Sequence, residues 1–205
     1  MRPAAPRTRV TRWLASVNAD GRRGIALALL VALFALMELG GDVARAGLRY
    51  ERAPIATGEW WRLITAHGVH LGPRHAALNA LGALLMWVLF AGDYTGRQWA
   101  AIVAGSVLAI DAGLWWLSPG ASWYVGSSGV LHGVLGAGTL AHLRRGERDG
   151  WLLASFIVAK VLWEQTQGAL PLSGSAASVI VDAHCYGALG GCAAAFMLRL
   201  RDKPL

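Results

Sequence analysis

Six apolar segments alternate with polar connections along this chain. They lie near residues 24–41, 75–91, 99–117, 128–143, 151–167 and 179–198. A helix needs roughly 20 apolar residues to cross a hydrocarbon core about 30 Å thick. The pattern therefore predicts an all-α, polytopic membrane protein with six transmembrane helices. The fourth segment is short for a span, so we expect its N-terminal end to lie below the membrane surface.

The polar connections divide the chain into a basic segment (1–23), a membrane domain (24–200) and a short tail (201–205). Basic residues favour cytoplasmic loops, and their distribution predicts that both termini are cytoplasmic. The connection after the first segment breaks this distribution, and we expect it to be partly folded with contacts of its own. Its arginines are Arg45, Arg49, Arg52, Arg62 and Arg74.

The first segment has a second interpretation. A basic stretch precedes it, and Ala44-Arg45-Ala46 imitates a signal-peptide cleavage site. The segment is long for the apolar region of a signal peptide, and five more apolar segments follow. Both features favour a retained helix.

Composition supports a membrane protein. The chain is 55% hydrophobic and 15% charged, with a mean hydropathy of +0.44, whereas a soluble domain averages about 25% charged residues. Its net charge of +7 could indicate nucleic-acid binding. However, the basic residues form short clusters between apolar segments, which suits membrane topology. We therefore expect the partner to be the lipid bilayer and exclude nucleic acid.

A serine and a histidine in two different apolar segments form a candidate nucleophile–base pair. Ser128 lies beside Gly126 and Gly129, which allow a tight turn and leave the hydroxyl unshielded. A free helix N-terminus there could stabilise an oxyanion. His184 is the natural base. The ordinary alternatives are a packing serine and a histidine bonded to a backbone carbonyl.

Glycines give the two segments a reason to meet. Gly187 and Gly191 lie on the helix face that carries His184, and Gly129 and Gly133 form a matching small pair. The two segments are therefore expected to approach closely. Asp182 is a poor third member of a triad, because two residues along a helix rotate it about 200° from the face of His184.

These motifs together resemble the rhomboid intramembrane serine proteases. The matching residues are Gly126-Ser127-Ser128-Gly129, Ala183-His184 with Gly187 and Gly191, Trp61-Arg62, and His70 through His75 to Asn79. The resemblance implies a six-helix rhomboid-like bundle in which Ser128 and His184 are the catalytic dyad and His75, Asn79 and Ser128 form the oxyanion site. It implies a structural role for His70. Spacing agrees independently, because a four-residue separation places His75 and Asn79 on one helix face.

Several features resemble the rhombosortase branch of that family: the small size, the Gly-Ser-Ser-Gly-Val-Leu-His-Gly stretch, and Lys160 with Glu164. The branch implies membrane-anchored protein substrates with a C-terminal Gly-Gly sorting signal, a single span and a basic tail. It fits a multi-pass protein of a bacterial inner membrane. His132 departs from the family, since many rhomboids carry Tyr at this position, packed on the catalytic histidine.

The remaining polar residues leave other interpretations open. Lys160 and Glu164 are expected to form a mutually neutralising pair, and Asp111 has no evident partner. The histidines and cysteines lack metal-ligand spacing, so we expect neither metal nor cofactor. A catalytically inactive, client-binding relative of the rhomboids is the main alternative. A transporter is disfavoured, because no inverted repeat is visible.

Overall fold

The structure is a computed structural model that describes residues 24–169 and 180–200. The predicted basic segment, the C-terminal tail, most of the loop before the sixth apolar segment and the first residue of that segment lie outside these ranges. The described elements follow in chain order: α1 Gly24–Leu39, α2 Gly41–Leu48, β1 Tyr50–Glu51, α3 Arg52–Ala56, α4 Arg62–Thr65, α5 Pro73–Phe90, α6 Gly96–Trp116, β2 Trp123–Tyr124, α7 Ser128–Arg144, α8 Arg148–Gln167 and α9 Asp182–Phe196.

Six of the described helices have 15 residues or more, and they coincide with the six apolar segments. The predicted helical class is therefore confirmed. Local sequence signals determine where two of these helices begin. Pro73 is the first residue of α5, and a capping box between Thr95 and Gln98 marks the start of α6. By length and composition, α6 alone among the described helices could cross a membrane unaided. The six-span count therefore stays a prediction.

The first segment ends differently from the prediction. A helix was expected over 24–41, but α1 stops at Leu39 and α2 continues at an angle of 108°. The break falls at Gly40 and Gly41, and Gly41 has a φ of +57°, where a glycine costs least. The bent pair meets the composition of one further span only when its two helices are taken together.

A short β-ladder departs from the purely helical prediction. Strands β1 and β2 pair antiparallel, with Tyr50 opposite Tyr124 and Glu51 opposite Trp123. Each strand has two residues, too few for an alternating pattern to be visible in the sequence. The ladder ties the long first connection to the residues immediately before α7.

Four of the five arginines of the first connection have protein partners, as expected for a partly folded loop. Arg62 is buried, and it pairs with Glu59 and donates to the carbonyls of Ala46 and Arg49. Arg52 donates to the last carbonyls of α6. These contacts give the basic residues a structural reason to lie outside the cytoplasmic clusters.

Helix α7 is the centre of the fold and packs against α5, α6, α8 and α9. It crosses α9 at the predicted glycines. A Cβ on Gly129 would lie 2.7 Å from the carbonyl oxygen of Ala183, and one on Gly187 or Gly191 would overlap the backbone of α7. Backbone therefore lies directly against backbone here, which small residues allow.

Candidate active site

The turn before α7 fixes the position of Ser128. Gly126 has a φ of +116°, a conformation that other residues rarely adopt. Its N–H donates to the Ala66 carbonyl at 2.9 Å, and its own carbonyl accepts from the Tyr124 hydroxyl at 2.5 Å. A Cβ on Gly126 would lie 2.9 Å from Cε1 of His75. The turn thus requires glycine, and it holds the start of α7 beside the His75 ring.

Ser128 and His184 meet at the crossing of α7 and α9. The Ser128 Oγ lies 2.8 Å from His184 Nε2, within hydrogen-bond distance. Each residue belongs to the first turn of its helix, and His184 is only 2% exposed. A hydroxyl and an imidazole at this distance can exchange a proton, which is the step that activates a serine nucleophile.

The other nitrogen of His184 has a partner that the sequence pattern did not indicate. His184 Nδ1 lies 2.8 Å from Glu164 Oε2, while Glu164 Oε1 accepts from Lys160 Nζ. The predicted Lys160–Glu164 ion pair is therefore present, but it is part of a larger group. The sequence did contain one indication of a further partner, because a single ammonium does not fill all the acceptor sites of a buried carboxylate. Asp182 lies elsewhere and accepts from the Ser118 hydroxyl at 2.6 Å.

His132 contacts both Ser128 and His184. Its Nδ1 lies 2.7 Å from the Ser128 carbonyl oxygen, so Nδ1 carries the hydrogen and donates it. Its ring stacks on that of His184, with centroids 4.1 Å apart and planes inclined by 13°. Its Nε2 has no hydrogen-bond partner within the described residues. His132 thus covers one face of the His184 ring.

His75 and Asn79 line one cavity together with Ser128 and His184. The cavity has a volume of about 230 Å³, and its walls include Leu131, Leu135, Phe156 and Lys160. His75 Nδ1 accepts from the Leu71 N–H at 3.2 Å, so the ring hydrogen is on Nε2. Asn79 donates one amide hydrogen to the His75 carbonyl at 2.9 Å and carries a second on the same nitrogen.

Ser127, next to Ser128, belongs to a separate hydrogen-bond group. Its hydroxyl donates to Asn79 Oδ1 at 3.2 Å and lies 3.4 Å from His70 Nε2. The Arg45 side chain donates to the His70 carbonyl, and the Phe34 ring packs edge-on against the His70 ring. Of the two adjacent serines, therefore, Ser128 is the one bonded to the imidazole of His184.

Asp111 has a partner outside this cavity. Its Oδ1 lies 3.4 Å from Nε2 of His67, which precedes α5 in the first connection. This partner could not be predicted from local pattern, because the contact joins residues 44 positions apart. The pair fastens the first connection to α6.

Two groups of described residues bring potential metal ligands within 4.8 Å of one another. One consists of His132, Glu164 and His184, and the other of His142, Glu147 and Asp149. In the first, both nitrogens of His184 already have partners, and two parallel rings do not direct their lone pairs to one point. In the second, the nitrogens of His142 are bonded to Asp149 at 2.9 Å and to Asp93 at 3.1 Å. We assign a metal to neither group.

One protein family matches most of the chain. The family model described as the Rhomboid domain matches residues 57–201. The chain is 27% identical over 143 residues to YdcA of Bacillus subtilis (strain 168), a protein assigned to the rhomboid proteases; the match covers 70% of this chain and 69% of YdcA.

Two further relatives differ in coverage. Rhomboid protease GluP of the same bacterium is 32% identical over 121 residues, which are 54% of this chain but only 22% of GluP. The uncharacterized protein Rv1337 of Mycobacterium tuberculosis (strain ATCC 25618 / H37Rv) is 27% identical over 217 aligned positions, which cover 98% of this chain and 84% of the relative. No solved structure was found to match the chain.

Proposed function

Because this chain belongs to the rhomboid family of integral membrane proteins and is an intramembrane serine protease, we propose that Ser128 is its nucleophile and His184 its general base. The observation that carries the proposal is the 2.8 Å distance between Ser128 Oγ and His184 Nε2. This distance lies within the range expected for a nucleophile and its base.

The reaction proceeds through an acyl-enzyme. His184 Nε2 takes the hydroxyl proton while Ser128 Oγ attacks the substrate carbonyl carbon, giving a tetrahedral intermediate and an imidazolium. The imidazolium then gives its proton to the leaving amine as the peptide bond breaks. His184 Nε2 then takes a proton from a water molecule while the water oxygen attacks the ester carbonyl. The second tetrahedral intermediate collapses to release the carboxylic acid, and the imidazolium returns the proton to Ser128 Oγ.

Three donors are proposed to stabilise the oxyanion of the tetrahedral intermediate: the Ser128 N–H, His75 Nε2–H and the second amide hydrogen of Asn79. The first N–H groups of a helix have no partner within it, so the start of α7 offers free donors. His75 and Asn79 line the same cavity as Ser128. Gly126, Gly129, His132, Gly187 and Gly191 support this arrangement by the contacts described above.

Substrates of the family are membrane proteins cleaved within the bilayer, and we propose that here they carry a C-terminal Gly-Gly sorting signal before a single anchor span. The proposal rests on the rhombosortase-like stretch around Ser128. A substrate whose Gly-Gly pair is replaced by Leu-Leu should be cleaved at least about tenfold more slowly, because a site that recognises residues without side chains discriminates against added side chains.

The proposed topology has six spans and two cytoplasmic termini, with residues 24–200 forming the membrane domain in a bacterial inner membrane. The six described helices of 15 residues or more and the distribution of basic residues support it. Single cysteines, introduced into a variant that lacks Cys185 and Cys192, would test it. Positions near residues 118–120 should react with an impermeant thiol reagent from outside, and positions near 145–147 should react only after the membrane is opened.

The dyad is tested by labelling and by cleavage. Full-length protein in liposomes should react with a fluorophosphonate probe and cleave a Gly-Gly substrate, and Ser128→Ala and His184→Ala should abolish both. Ser127→Ala is the matched control for labelling, because its hydroxyl is bonded to Asn79 rather than to His184. Labelling that persists in Ser128→Ala would overturn the assignment of the nucleophile.

The same probe separates a protease from a catalytically inactive client-binding protein. The inactive alternative predicts a folded protein that binds membrane substrates and never reacts with fluorophosphonate. The hydrogen-bonded Ser128 and His184 do not favour it, because a binding protein has no need for an activated hydroxyl.

A further inference from the structure

Glu164 is the only described acidic side chain bonded to His184, and it is almost fully enclosed. The residue is 1% exposed, and its two carboxylate oxygens are divided between His184 Nδ1 and Lys160 Nζ. The hydrogen bonds form one continuous line from Ser128 Oγ through both nitrogens of His184 to the Glu164 carboxylate. The two hydrogen bonds at His184 are each 2.8 Å long.

This line selects one tautomer of His184. A neutral imidazole carries one N–H, and an ionised carboxylate only accepts hydrogen bonds. The hydrogen must therefore be on Nδ1, which faces Glu164, and the lone pair of Nε2 faces the Ser128 hydroxyl. A general base needs this tautomer, because the opposite one would present an N–H to Ser128 and could not take its proton.

Lys160 keeps the buried Glu164 carboxylate ionised. An isolated carboxylate in an apolar interior is too costly and takes up a proton instead. Lys160 lies one helical turn from Glu164 on α8, so its ammonium neutralises the carboxylate without leaving the helix. The resting group therefore has no net charge. When Ser128 gives up its proton, the new imidazolium finds Glu164 next to it.

We propose that Glu164 is a positioning residue for His184 and that the enzyme works as a Ser128–His184–Glu164 triad, with Lys160 as the counter-ion of Glu164. This inference rests on the proposed dyad. Glu164 fixes the tautomer and orientation of the imidazole and stabilises the imidazolium. Within residues 24–169 and 180–200, the titratable groups that face His184 are Glu164 and Lys160 from α8, His132 from α7 and His75 from α5.

The test compares the pH dependence of kcat in Glu164→Gln with that of the wild-type chain in liposomes. The amide keeps the size of the side chain but loses its charge, and it can donate to Nδ1, which favours the wrong tautomer. We expect kcat to fall by about 10²–10⁴-fold and KM to change by less than about twofold. The acidic limb of the profile should move to lower pH, because the imidazolium loses its neighbouring negative charge.

A matched control is available on the same helix. Asp149, in the first turn of α8, bonds to Nδ1 of His142 at 2.9 Å. His142 lies in the last turn of α7, at the opposite end of that helix from Ser128. Asp149→Asn removes a carboxylate from a histidine in the same way and should keep the wild-type kcat and pH profile. Folded Glu164→Gln with kcat within about threefold of wild type and an unshifted acidic limb would overturn the triad.

A second variant covers the case in which Glu164→Gln does not fold. Glu164→Asp keeps the charge but withdraws it by one methylene, so kcat should drop by about tenfold and the acidic limb of its pH profile should lie at lower pH than that of the wild type. Wild-type kcat and profile in Glu164→Asp would overturn the inference. Ser128→Ala separates the two proposals: if it still labels, the dyad is wrong, whereas if it is inert and Glu164 variants are fully active, only the triad is wrong.

Discussion

The rings of His132 and His184 lie face to face, with centroids 4.1 Å apart and planes inclined by 13°. His132 also donates from Nδ1 to the Ser128 carbonyl at 2.7 Å, one helical turn away. One side chain therefore touches both members of the proposed dyad. Many rhomboids place Tyr at this position, and a flat ring is what the two residues share. The ring, rather than the hydrogen bond, is thus expected to matter most for activity.

Substitution of His132 tests that expectation. His132→Ala exposes one face of the His184 ring, so the ring gains freedom and kcat should fall by about tenfold, a small cost beside loss of the dyad. His132→Phe and His132→Tyr keep a flat ring and should retain most of the wild-type kcat. Cleavage rates in liposomes, normalised to folded protein, would measure this. Equal losses in all three variants would indicate that the Nδ1 hydrogen bond is the essential feature.

The proposed oxyanion donors predict a loss in kcat with little change in KM. His75→Ala and Asn79→Ala each remove a donor from the cavity at Ser128, and removal of one such donor costs about 10²–10³ in kcat in other serine proteases. Steady-state cleavage in liposomes separates kcat from KM. Leu78→Ala is a control on the same helix and cavity, because it removes only apolar surface. An unchanged kcat in both donor variants would contradict the proposed oxyanion site.

The crossing of α7 and α9 predicts that Gly187 cannot become alanine. The added Cβ would overlap the carbonyl of Gly129, and relief requires the two helices to separate. We expect unfolding to become easier by about 1–3 kcal/mol and cleavage to fall, because the same separation moves His184 away from Ser128. Gly120→Ala is the control, since nothing lies within 4 Å of its added Cβ. Thermal unfolding in detergent micelles measures the difference, and equal stability of the two variants would contradict the close crossing.

The sequence predicted the parts of this molecule that depend on local pattern. Each of the six long helices coincides with an apolar segment, and the glycines of α7 and α9 indicated that these two helices approach each other closely. The meeting of Ser128 and His184 could be expected because both residues lie on those glycine faces. His75 and Asn79 followed from spacing along one helix together with the resemblance to rhomboids.

The missed features all depend on contacts between elements distant in sequence. The β-ladder pairs Tyr50 with Tyr124, and each of its strands has only two residues, which is too short for an alternating pattern to be visible in the sequence. Glu164 was correctly paired with Lys160 on its own helix, but its bond to His184 depends on the rotation of α8 against α9. Packing of the whole fold sets that rotation, and neither helix encodes it alone.

The buried position of His70 predicts that stability falls in mild acid. Burial lowers the pKa of His70 from 6.5 to about 3, so the ring stays neutral in the folded protein while the unfolded chain takes up a proton below about pH 6.5. Neutral His70 therefore contributes fully to the free energy of unfolding above pH 6.5. This contribution is lost as the pH falls from 6.5 toward 3, and the loss reaches roughly 2 kcal/mol at about pH 5. His70→Gln cannot titrate and should show a shallower decline in the free energy of unfolding between pH 7 and pH 5 in micelles. Parallel curves for the two proteins would show that His70 is protonated equally in both states.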